Sequence, residues 1–153
     1  MRITTRPMHG PRNRRRGVLM VAEFVFMTPV LMMFFLGICE FYMMVATRID
    51  LLHASRAAVR VAASESYTYK TQANALADQT GHAVLGTGRL SKNAHVQITW
   101  SQDLPPAQTA GQADWVEAAV EVRARSVIPD MLGWLGFSLG NKDIVAATRM
   151  KQE

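Results

Sequence analysis

Glu23 and Glu40 are the only charged side chains between Val18 and Ala46, and the chemistry they offer is charge pairing. A carboxylate held in hydrocarbon is costly unless a cation meets it. Each acid therefore lies at a polar boundary or marks a cationic partner, and Glu40 reads as an outer-boundary residue or as a partner for Arg48 on a nearby helix. Nothing else forms a reactive constellation. His9, His53, His82 and His95 fall in separate segments without metal-ligand spacing. Serine, histidine and aspartate are present without a nucleophile elbow. Gly86-Thr87-Gly88 has no strand before it and no dinucleotide fingerprint after it, so it reads as a turn. Cys39 stands alone, which excludes an intramolecular disulfide, and reads as a small embedded side chain. No cofactor, metal or small-molecule substrate is expected, and the chain does not read as an enzyme.

The element carrying the two acids is long. Val18 to Ala46 gives about 44 Å of helix at about 1.5 Å per residue, against a bilayer core of about 30 Å. The uncharged stretch Phe24 to Cys39 covers about 24 Å, so both acids fit near opposite interfaces with modest tilt or thinning. A cleaved signal peptide has a much shorter apolar core ending at small residues. Thr28-Pro29 interrupts the run, which membrane helices tolerate when other groups compensate the lost donor. Before it lies a basic leader, residues 1–17, with Arg12, Arg14, Arg15 and Arg16 clustered at its end. The leader carries six arginines and no acid, whereas the remaining eleven basic and twelve acidic side chains leave the rest of the chain at −1, although the whole is formally +5. With no basic face beyond the leader, nucleic-acid binding is excluded. The arginines instead report topology: the positive-inside rule places the N-terminus in the cytoplasm and residues 47–153 across the membrane.

The 153-residue chain then has room for one small soluble domain. Residues 47–65 keep helical periodicity, with Ile49, Leu52, Val59 and Ala62 on one stripe and an alanine-rich face suited to packing on the chain's own sheet. Without a proline after Pro29, the membrane helix is expected to continue outward as one rod to Glu65. A short helix follows at Thr71 to Leu85. His95 to Ser101 and Trp115 to Arg123 alternate as half-buried antiparallel strands around the Pro105-Pro106 loop, and Asp143 to Met150 forms a third. The apolar, glycine-punctuated stretch VIPDMLGWLGFSLG before that strand is too short to span a bilayer. It reads as the lid of a small core, with a docking surface for a partner or the outer leaflet as the alternative. The fold class expected is α+β: a long N-terminal transmembrane helix, a short helix and a roughly three-stranded antiparallel sheet.

The order of basic leader, Gly17, apolar residues and Glu23-Phe24 resembles the processing site of type IV prepilins, and the chain is similar to the TadE-like family of tight-adherence (Tad/Flp) pseudopilins. A second block, GICEFYMMVATRIDLLHASRAAVRVAA, resembles that family without a gap through Gly37, Glu40, Phe41, Arg48, Arg56 and Arg60. The resemblance implies a pilin-like, non-enzymatic component of pilus assembly in the bacterial inner membrane. A prepilin peptidase would cut between Gly17 and Val18. Glu23, with Phe24, would set subunit register by pairing with the free amine of a neighbouring subunit. The implied partners are other pilin or pseudopilin subunits, the inner-membrane assembly platform and the peptidase. One departure stands out: the family places four residues between glycine and glutamate, whereas VLMVA makes five here. The extra residue turns Glu23 about 100° around the helix relative to the cut end. The rival reading is an uncleaved, signal-anchored periplasmic protein that binds other envelope or secretion components.

Overall fold

A computed structural model describes residues 12–65, 69–105, 114–136, 138–140 and 142–152. The leader through Pro11, Pro106 and Phe137 lie outside the described residues. The described residues begin with a helix of 53 residues, α1 (Arg12–Ser64), continuous through Pro29. There follow α2 (Lys70–Leu85), the short α3 (Arg89–Asn93), β1 (Ala94–Trp100), β2 (Trp115–Arg123), the single turn α4 (Ala124–Val127) and β3 (Asp143–Lys151). The strands form one antiparallel sheet in the order β1-β2-β3. This is the α+β layout expected from sequence: a long apolar helix, a short helix and a three-stranded antiparallel sheet. The short helices α3 and α4 had no sequence signal, since neither is long enough to show a period.

Register explains how the sheet is one-sided. Val96 faces Val120, Ile98 faces Ala118 and Trp100 faces Val116, while Val120 and Val122 pair with Ala146 and Ile144 of β3. With a side-chain period of two, all of these project to one face. That face meets the outer half of α1 and the whole of α2. Trp100, Val116 and Ala118 pack with Ala58, Val59 and Ala62 of α1 and with Ala73 and Ala77 of α2. A neighbouring cluster joins Leu51 and Ala54 to Val120, Val122, Ile128 and Ile144. The opposite face carries polar pairs: Arg149 donates to Glu117 Oε2 through Nη2 at 2.9 Å and Nε at 3.1 Å, and its guanidinium stacks 3.7 Å from the Trp115 ring centroid.

The alanine-rich face of α1 is therefore spent on its own domain. Its centre differs from the expected stripe: Leu51, Ala54, Ser55, Ala58, Val59 and Ala62 are wholly buried, whereas Ile49 is exposed and Leu52 only half-buried. Small side chains won because α2 must lie close: Ala73, Ala77 and Gly81, four apart on one face, are its buried residues. A Cβ added at Gly81 would stand 3.1 Å from Val96 Cγ2 and 3.8 Å from Ala58 Cβ. Ser55 shares a 2.8 Å hydrogen bond with Thr148 Oγ1, tying α1 to β3 with a polar pair inside an apolar layer.

Candidate functional site

Every residue from Met20 to Phe35 is exposed, including Phe24, Phe26 and Phe34. Met20–Ser64 contains the one helix, among the described residues, long and apolar enough to cross a membrane. Glu23 lies within the bare stretch, exposed beside Phe24. Pro29 leaves the Val25 carbonyl without its usual donor four residues on. The Thr28 hydroxyl donates to the Phe24 carbonyl at 2.8 Å, so it bonds the carbonyl next to the orphaned one and does not replace the lost bond.

Gly17 and Val18 lie five and six residues inside α1, which begins at Arg12, so the expected cleavage junction and the backbone of Arg12, Arg14, Arg15 and Arg16 are helical. A peptidase that reads an extended segment has to unwind this turn first. Glycine in a helix interior lowers that barrier, being about 1 kcal/mol less favourable there than alanine.

The second block divides into two groups. Gly37 and Glu40 face the chain's own C-terminal loop. Leu132 seats on the glycine, where an added Cβ would lie 3.5 Å from Leu132 Cδ1. Glu40 forms the wall of a recess with Met44, Leu132, Gly136, Leu139 and Lys142. It is only 6% exposed, and its Oε2 has no hydrogen-bond partner among the described residues. The loop after α4 covers it, a contact made from nearly a hundred residues away that no local spacing in the sequence announces. Arg48, by contrast, is exposed. Arg56 and Arg60 are exposed as well, on the side of α1 turned from the sheet, and among the described residues none of the three arginines is in an ion pair. Phe41 is exposed beside Val30, Phe34 and Leu132 in an apolar groove. The motif thus joins residues that hold the loop to residues that face outward.

The loop itself splits the expectation for VIPDMLGWLGFSLG. Ile128 and Leu139 are buried in the core, while Met131 and Leu132 are half-buried, Leu132 against α1. Trp134 is 78% exposed on the 3-10 turn Gly133–Leu135. Gly136, at φ 89°, reverses the chain after it, a left-handed conformation that favours glycine. Among the described residues no group of three histidine, cysteine or acidic side chains is placed to hold a metal ion.

Residues 17–60 match the model of the family described as TadE-like protein. No curated protein and no solved structure matches the chain. The matched segment covers most of both blocks read from the sequence, from Gly17 through Arg60, and bears out the TadE-like resemblance. Its length is that of the exposed helix plus the first turns buried in the domain. Over this segment, under a third of its length, the chain is similar to TadE-like proteins, and the same segment includes the helix long and apolar enough to cross a membrane once.

Proposed function

We propose that this chain is a non-enzymatic minor pseudopilin of a Tad/Flp pilus. It would be anchored once in the bacterial inner membrane, with its N-terminus in the cytoplasm and its sheet domain in the periplasm. Prepilin peptidase cuts after Gly17, and the new amino terminus at Val18 enters a bundle of pilin or pseudopilin helices seated on the inner-membrane platform. The observation that carries this reading is that the TadE-like match, residues 17–60, takes in a helical stretch, Met20 to Phe35, in which every residue is exposed. An exposed helix that is apolar apart from one acid and one threonine suits lipid and other helices. The arginines Arg48, Arg56 and Arg60 give the exposed side of the outer helix a charge suited to acidic partner subunits.

The N-terminus of the mature chain tests the processing step. Co-expression with a prepilin peptidase should remove the 17 residues through Gly17 and leave Val18 first, read by intact-mass measurement. An unchanged mass overturns cleavage. One observation favours the second reading, an uncleaved anchor that binds another envelope component: the helix runs without interruption from Arg12 across the junction. An uncut chain that co-purifies with envelope proteins and is absent from sheared pili supports that alternative.

A further inference from the structure

We infer that the loop tip from Met131 to Gly136 is a second membrane-contacting element, entering the leaflet on the side of the sheet domain and setting Trp134 at the boundary between headgroups and hydrocarbon. The inference rests on α1 spanning the bilayer and not on cleavage or pilus entry. Depth carries it. If the uncharged stretch Phe24 to Cys39 is centred in a hydrocarbon core of about 30 Å, a helix along the normal places Gly37 about 7 Å inside the boundary. On the same scale Glu40 lies about 2 Å inside it. Leu132 rests on Gly37 and shares a groove with Val30, Phe34 and Phe41. A residue seated there cannot stay in water while the helix spans.

The chemistry of the tip agrees with that depth. Met131, Leu132, Gly133, Trp134, Leu135 and Gly136 carry no charge. Trp134 stands exposed while Trp100 and Trp115 are both buried in the sheet domain. Tryptophan is enriched where headgroups meet hydrocarbon, its ring apolar and its N–H wet. The charges flanking the tip are managed. Asp130 turns inward and accepts the Ser138 hydroxyl at 2.8 Å through Oδ2, while its Oδ1 is buried with no hydrogen-bond partner among the described residues. Lys142 is exposed beside the Glu40 recess, where its stem can run along apolar surface and its ammonium reach the headgroups. The tip also explains the burial of Glu40: its loop stands between a carboxylate at hydrocarbon depth and the lipid.

Depth-resolved fluorescence of the full chain in vesicles tests this. The chain and its Trp134→Phe variant are reconstituted in phosphatidylcholine, either plain or brominated near the headgroup end or the methyl end of the acyl chains. Bromine near the headgroup end should quench a component of the emission that Trp134→Phe lacks, and bromine at the methyl end should quench it less. Equal quenching in both proteins, or a Trp134 component quenched by aqueous iodide as fully as free tryptophan, overturns the proposal. Flotation of the same vesicles separates the premises. A chain that does not float has lost the span, whereas a chain that floats with Trp134 in water overturns the loop alone. The pilus reading stands or falls separately, on the N-terminal mass.

Discussion

Glu40 and Ser55 are both buried polar side chains on α1, and their surroundings give them opposite energetic signs. Ser55 is fully buried but satisfied, its hydroxyl bonded to Thr148 Oγ1 at 2.8 Å and to the Leu52 carbonyl at 3.0 Å. Ser55→Ala removes a bond that spans helix and sheet and leaves the Thr148 hydroxyl short of a partner. Thermal unfolding in micelles should show a loss of about 1 kcal/mol. Glu40 has no such compensation among the described residues: its Oε2 is buried without a partner there, in a recess of mainly apolar side chains. Removing a charge so placed generally costs nothing or stabilises. Glu40→Gln, close in shape, should therefore raise the stability of the isolated chain by on the order of 1 kcal/mol. A fall of that size in the same unfolding measurement would mean that the carboxylate is paired.

At the scale of elements, the helices and strands were legible because their buried faces repeat. Val96, Ile98 and Trp100 alternate in β1, as do Val116, Ala118, Val120 and Val122 in β2, and the register of the sheet keeps them all on the helix side. The loop between α4 and β3 has no repeat to read. Its apolar residues divide three ways, into the core at Ile128 and Leu139, against α1 at Leu132 and outward at Trp134, because depth there is set by a helix distant in sequence. For the same reason the place of Glu40 was hidden, although Gly37 and Glu40 themselves stood out as a pair. The position of the α1 stripe was also misjudged, since hydrophobicity favours Ile49 while the close approach of α2 demands alanine. That approach is itself testable. A side chain at position 81 has to enter a gap where even a Cβ meets Val96 at 3.1 Å. Gly81→Leu should wedge α2 from the sheet and cost about 1–3 kcal/mol. The expected readout is a lower melting midpoint with far-ultraviolet helicity largely retained at low temperature.

The whole molecule joins a folded head to an unaccompanied rod. From Leu51 outward, α1 is locked to α2 and the sheet through its alanine face, so the head holds the helix at a fixed angle. From Met20 to Phe35 every residue of the same helix is exposed, and Glu23 is the one acid in that stretch. Among the described residues no ion pair neutralises it. Its cost in hydrocarbon is met at the membrane surface or by a cation on another molecule. In the assembly reading that cation is the amine of a cut neighbour. Glu23→Ala should then leave peptidase cutting and membrane insertion unchanged while pili are lost, with Glu23→Gln failing in the same way because its neutral amide cannot pair with an ammonium. Counting sheared pili beside carbonate-extracted membranes separates these effects. Normal piliation in both variants would return Glu23 to the interface as a solvated anchor, and the stagger between subunits would then have to come from packing of the apolar helix alone.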